Sequence, residues 1–175
     1  EIVSDLRKGC DLGTRGEYLC PSVSTNAPSA FEYGDRVTDS IVDGIKRGIM
    51  IGPMKKEQVP FKEQGIKVNG IMVKLKPNGV ARVILNQGME SEEGFEITMS
   101  STGQWLAALH SAGRGCFVCK LDWEAAYKQL RVQEGDIRQQ FFCWAGRWFA
   151  ELCLVFGGSS SVGLFDRLAK VFRFV

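Results

Sequence analysis

The chain of 175 residues has one histidine, His110, and no second cysteine pair at metal-ligand spacing after Cys116 and Cys119. A zinc centre needs four convergent Cys or His ligands, so a structural zinc fold is disfavoured. No apolar run approaches the roughly 20 residues that span a bilayer, and no N-terminal stretch reads as a signal peptide. No membrane partner is therefore expected. Charge is nearly balanced, with 22 Lys and Arg against 20 Asp and Glu, a net of +2. Such a balance neither demands nor excludes nucleic acid, and any basic surface has to be local. No internal repeat is visible, so a solenoid or array is not indicated.

What is present suits a globular protein. Hydrophobic residues make up 45% and charged residues 24%, ordinary values for a chain with a real core. The length fits one domain, or a domain with a subdomain. Cys116, Cys119, Cys143 and Cys153 lie in apolar, strand-like runs. That usage predicts reduced, buried thiols and an intracellular protein. The Cys116-x-x-Cys119 spacing would put the two thiols on opposite faces of a strand. The chain begins at Glu1 and ends at Val175 inside an apolar helical pattern, which suggests a piece of a longer polypeptide.

Along the chain, residues 1–34 read as mostly irregular. Residues 35–48, "DRVTDSIVDGIKRG", carry Val37, Ile41, Val42 and Ile45 at helical spacing, with Asp35 as a possible cap and Gly48 at the end. A loop with Pro53 and Pro60 follows. "GIMVKLKPNGVARVILN" (70–86) reads as a hairpin turning at "PNG". Residues 87–99 read as a connection. "SSTGQWLAALHSAG" (100–113) reads as a helix with a Ser or Thr cap and an apolar face of Trp105, Leu106 and Leu109. "CFVCKL" (116–121) reads as a buried strand ending in Asp122, followed by a helical "WEAAYKQL". Residues 139–154 read as a second hairpin turning at Ala145-Gly146. "FGGSSS" (156–161) then opens a final helix with Leu164, Phe165, Leu168, Val171 and Phe172 on its apolar face. This order predicts an α+β fold.

A lone carboxylate at the end of a buried strand is penalised by desolvation. Locally, Asp122 reads as a helix N-cap. Tyr127 alone reads as an amphipathic tyrosine at a core edge. The lysines of the 70–86 hairpin could serve only to discourage edge pairing.

Taken together, "KLDWEAAYKQLRV", "FFCWAGRWFAELCLVFGGSSSVGLFDRLAKV" and the upstream "VKLKPNGVARVILN" resemble the core of a reverse transcriptase. "FGGSSSVGLFDRL" is most similar to the DIRS-type and Ngaro-type retroelements. The resemblance covers roughly residues 36–175. It implies a right-hand polymerase, with an irregular segment over 1–34, a fingers-like region over 35–115 and a partial palm over 116–175. It also implies transfer of dNTPs onto a primer on an RNA or DNA template, with two Mg²⁺ ions stabilising the attacking and leaving oxygens.

The resemblance carries over residue by residue. It makes Asp122 the catalytic metal ligand, joined by the backbone carbonyl of Trp123. Lys76 and Arg82 would grip the triphosphate, with Lys74 in reserve. Tyr127 would lie beneath the incoming sugar and favour deoxynucleotides. Phe156 would meet the nascent base pair, and Gly157 and Gly158 the template. Ser159 to Ser161 could cap the next helix or bind template phosphate, and Arg147 could face nucleic acid. The triphosphate grip needs Lys76 and Arg82 on one face. A two-residue Asn78-Gly79 turn would separate them, whereas an Asn78-Gly79-Val80 loop would set them opposite each other.

The family's adjacent aspartates are absent, since no Asp-Asp pair occurs in the chain, and so is the thumb. The chain alone is therefore expected to be inactive. A non-catalytic nucleic-acid-binding or assembly domain derived from such a polymerase is the alternative.

Overall fold

The computed structural model describes residues 2–13, 23–59, 65–87, 101–119 and 122–171. Its helices are α1 (Ile2–Lys8), α2 (Pro28–Glu32), α3 (Gly34–Lys46), α4 (Thr102–Ala112) and α5 (Ser159–Val171). Its strands are β1 (Met50–Met54), β2 (Val68–Leu75), β3 (Ala81–Asn86), β4 (Phe141–Trp144) and β5 (Arg147–Glu151). The strands form one mixed sheet in the order β1-β5-β4-β2-β3. Only the β2–β4 pairing is parallel, with Val68 opposite Phe141. Among the described residues, no helix is long and apolar enough to cross a membrane.

α3 forms where the periodicity predicts it. Val37 and Ile41 are buried against β2, β3 and β5 in one core with Ile71, Val73, Leu85, Phe142 and Phe149. Tyr33 rather than Asp35 occupies the N-cap position, and Asp35 sits in the first turn. A second core joins Cys10, Leu12, Leu130, Val132 and Leu154 to Leu164 and Leu168 of α5. A third, smaller cluster gathers Val59, Phe141 and Ala150 with Ile51, Met54 and Trp148, so the described residues bury three apolar surfaces, one of them under α3 and one under α5.

Several expectations need correcting. Residues 1–34 contain two helices, α1 and α2. The supposed loop around Pro53 contains β1, which pairs antiparallel with β5 from Met50 opposite Glu151 to Met54 opposite Trp148. Gly and Pro disguise it, and an irregularity between Ile51 and Met54 accommodates them. β1 also explains why residues 116–119 are not a strand. The free edge of β5 is taken by β1 and that of β4 by β2, so neither edge of the 139–154 hairpin is left for "CFVC". Phe117 is fully exposed, and Cys116 and Cys119 are exposed too. Cys143 is half-buried, and of the cysteines read as buried only Cys153 is fully enclosed.

α4 forms with the expected cap: Gln104 N–H donates to Ser101 Oγ and Ser101 N–H to Gln104 Oε1. Its apolar face nevertheless stays exposed. Local capping makes the helix, and helical spacing alone does not supply a surface to bury it. Residues 88–99 of the 87–99 connection, Pro60, Cys20, Lys120, Leu121 and Phe172 lie outside the described residues.

Residues 23–27 run beside β2. Ser24 N–H donates to Val68 O and Ala27 N–H to Ile71 O, both at 2.8 Å. A Cβ on Gly70 would run into the Thr25 carbonyl oxygen. Gly70→Ala is therefore expected to destabilise the chain by about 1–3 kcal/mol, read as a shift in urea midpoint at constant m-value.

Candidate nucleotide site

The β2–β3 hairpin adopts a register that neither sequence option foresaw. Lys74 is directly opposite Arg82 and Leu75 opposite Ala81. The Lys76 N–H donates to Val80 O at 2.9 Å, and Gly79 N–H donates to Lys76 O at 2.8 Å. The loop is therefore Pro77-Asn78-Gly79, with Gly79 at φ +76°, a three-residue turn that needs a left-handed residue. Side chains alternate along strands, so Lys74, Lys76 and Arg82 share one face. The opposite face carries buried Ile71, Val73 and Leu85. The same-face requirement is met with Lys74, not Lys76, as Arg82's direct partner.

The other hairpin turns where expected. Trp144 pairs with Arg147 across Ala145 and Gly146, which have φ of 48° and 70°, a type I′ signature. Arg147 is exposed there. The chain leaves this hairpin through Leu154 and Val155, both buried, to Phe156.

At Phe156 the site closes. The Arg82 guanidinium lies over the Phe156 ring, 4.7 Å from its centroid, a cation–π contact. The Tyr127 ring meets Phe156 edge-on at 4.7 Å and Phe165 at 5.8 Å. Trp123 meets Phe165 edge-on at 5.6 Å. Edge-to-face pairs of this kind suit aromatic quadrupoles. An unbroken line of contacts thus runs from Trp123, next to Asp122, to Arg82 on the hairpin. Tyr127 is half-buried, and that burial pushes its hydroxyl pKa up.

Gly157 and Gly158 pack against the end of β3. Gly157 has φ +93°, and a Cβ there would sit 3.5 Å from Leu85 O. A Cβ on Gly158 would come within 2.7 Å of Gln87 Oε1 and of Ser161 Oγ. The close approach the glycines allow is to β3 itself. Ser160 and Ser161 are buried in the first turn of α5, which corrects the idea that they reach template phosphate. α5 starts earlier than expected and absorbs the serines.

Asp122 is exposed, and residues 116–119 upstream of it form no strand. "WEAAYKQL" is a turn leading into a short 3₁₀ segment, Ala126–Gln129, whose cap position is Ala125 at φ 49° rather than Asp122. Among the described residues, no group of three or more His, Cys, Asp or Glu side chains comes together. Mg²⁺ needs a hard, near-octahedral oxygen shell. Asp122 with the Trp123 carbonyl does not make one unaided, so these residues by themselves do not fit a two-ion centre.

Comparison with solved structures decides the fold. Eleven chains of solved structures match, foamy virus protease-reverse transcriptases among them. The foamy viral protease-reverse transcriptase dRH in complex with double-stranded DNA aligns at a TM-score of 0.60 and 14% identity, over 89% of this chain and 26% of that one. A crystal structure of the prototype foamy virus protease-reverse transcriptase CSH mutant aligns at 0.56 and 16%, over 89% and 20%. A further complex of the foamy viral enzyme with double-stranded DNA aligns at 0.55 and 16%, over 92% and 31%. The fold is reverse-transcriptase-like. The chain spans about a fifth to a third of the length of these proteins. No family model and no curated protein matches it.

In this reverse-transcriptase-like fold, sequence reasoning missed the polar groups that join the β2–β3 hairpin to the β4–β5 hairpin. Asn69 Nδ2 donates to Gln139 O at 2.7 Å and to Phe141 O at 3.0 Å. Gln87 Nε2 donates to Gln139 O at 3.3 Å, and Gln140 Nε2 to Glu151 O at 3.1 Å. All of these amides are buried. Their sequence neighbours are apolar or polar without pattern, so no signal marked them. Lys128 and Glu151 were missed too. They form an ion pair at 2.6 Å with Glu151 nearly sealed from solvent. A basic residue next to Tyr127 and an acid inside a strand's apolar run were the available clues.

Proposed function

We propose that this chain is the fingers and part of the palm of an RNA-directed DNA polymerase from a retroelement of the DIRS or Ngaro kind. Residues 35–115 form the fingers-like region and 116–175 the partial palm, after an N-terminal segment over 1–34. Its partners are an RNA or DNA template-primer and dNTPs. The observation that carries this reading is the meeting of Arg82, Phe156 and Tyr127 beside Lys74 and Lys76. Like charges directly opposite on a ladder repel, and an anionic polyphosphate would relieve the Lys74–Arg82 conflict. Arg supplies a bidentate phosphate contact and Lys a point charge. Phe156, 44% exposed, offers an apolar face for a base pair or sugar, with Tyr127 set edge-on to it.

Asp122 is the ligand this chain contributes to Mg²⁺ chemistry, and further acids have to complete the shell. The fragment is therefore inactive alone. Purified chain is expected to bind a template-primer and a dye-labelled dNTP in fluorescence anisotropy. Arg82→Ala is expected to weaken dNTP binding about 10- to 100-fold, as for loss of a charge-assisted hydrogen bond. Absence of both kinds of binding would overturn the reading. Primer extension by the wild-type chain that disappears in Asp122→Asn would overturn the inactivity.

A further inference from the structure

Tyr127 stands on weak ground. Its 3₁₀ segment is a single turn with no side-chain cap, and the preceding Ala125 is left-handed at φ 49°. One such turn has little stability of its own. Yet Tyr127 holds an edge-on contact with two rings.

The next residue supplies the anchor. Lys128 Nζ lies 2.6 Å from Glu151 Oε2. Glu151 closes β5 and is fixed from several directions. Its N–H donates to Gln140 O at 3.2 Å, its carbonyl accepts from Gln140 Nε2, and its backbone pairs with Met50 of β1. The other charged side chains lining the same space, Asp43 of α3 and Arg47 just after it, pair with each other at 3.4 Å.

There is a reason for Tyr127 to need holding. A cavity of about 160 Å³ lies between α3, β3 and the end of β5, walled by Phe156, Val155, Leu85, Lys128 and Glu151 among others. Cavities of roughly 150 Å³ admit a benzene ring. Phe156 borders this space, so any displacement of its ring would take from Arg82 the ring it stacks on. Tyr127, set edge-on at 4.7 Å, is the ring that meets Phe156 from the side of the 3₁₀ turn.

We propose that the Lys128–Glu151 ion pair is a positioning strut that holds Tyr127 against Phe156, and through Phe156 the guanidinium of Arg82. Both residues act through Tyr127. Their meaning for nucleotide selection rests on the polymerase reading above, whereas the strut itself is a property of this chain.

The chain has three tyrosines, Tyr18, Tyr33 and Tyr127, so ring-labelled ¹³C-tyrosine NMR reads Tyr127 directly. Its resonances are expected to be ring-current shifted by Phe156 and Phe165. Lys128→Arg is expected to keep that shift. Lys128→Met and the double variant Lys128→Met/Glu151→Met are expected to lose at least half of it, with Tyr33 unmoved. The double variant matters because it carries no stranded buried charge and so tests position apart from stability. A Tyr127 shift retained in the folded double variant overturns the proposal. So does loss of the folded state in both methionine variants, which would make the pair a folding element. Template-primer binding by the wild-type chain tests the polymerase reading separately. Its absence would remove that reading and leave the Tyr127 result standing.

Discussion

Phe142→Ala is expected to cost about 3–5 kcal/mol of folding stability, a large share of the roughly 5–15 kcal/mol available to a domain. Phe142 is 3% exposed and stacks on Phe149 with ring centroids 5.5 Å apart. It sits in β4, the strand that joins parallel β2 to antiparallel β5. On its face converge α2 through Ala30, α3 through Val37 and Ile41, and the hairpin through Ile71, Val73 and Leu85. Alanine there leaves a cavity that these elements cannot readily close, because the strands β2, β3, β4 and β5 are fixed by their ladders. The ring also borders the space behind Phe156, so the new void would enlarge that one. Urea unfolding followed by far-UV circular dichroism should show a lower midpoint with an unchanged slope. Phe142→Leu should recover most of the loss. A shift under 1 kcal/mol for the alanine variant would show that this core is not the one holding the sheet together.

Much of this fold is legible because its signals are local. The Ala145-Gly146 turn reads from a glycine, which tolerates positive φ, set between two apolar runs. α3 reads from Val37, Ile41 and Ile45, and the Ser101–Gln104 box from a spacing of three. Long-range facts are not legible in this way. Whether "CFVC" is a strand depends on whether an edge is free, and that edge belongs to "MIGPM", whose glycine and proline argue against a strand. Apolar content alone cannot assign one segment to a ladder and leave the other in solvent.

The candidate site divides along the same line. Lys76, Arg82, Tyr127 and Phe156 could be named from a motif order, and the contacts Arg82–Phe156 and Tyr127–Phe156 bring three of them together. The hairpin register could not be named, since "PNG" supports several loops and only the Lys76–Val80 hydrogen bond selects one. Lys128 and Glu151 were invisible for a further reason. An ion pair between residues 23 apart in sequence leaves no periodicity, and a buried acid resembles an exposed one until the sheet is assembled.

That pair also sets a pH dependence expected of the chain between pH 4 and 8. Burial raises the Glu151 carboxyl above its ordinary 4.5, and the Lys128 charge and hydrogen bond only partly pull it back. The folded chain therefore holds this proton more tightly than the unfolded chain does. Its contribution is fully present below about 4.5 and declines as pH rises through the raised folded value. Lys128→Met removes the opposing pull, so the folded value moves further up and the decline extends to higher pH. The variant is expected to match wild type near pH 4 and to fall behind by about 3 kcal/mol at neutral pH, as when one partner of a buried pair is lost. Glu151→Gln in the Lys128→Met background should flatten the difference, since no buried charge remains to be stranded. Urea midpoints measured from pH 4 to 8 decide it. Parallel curves for wild type and Lys128→Met would mean that Glu151 reaches solvent in the folded state, and that the 2.6 Å contact contributes nothing to its protonation.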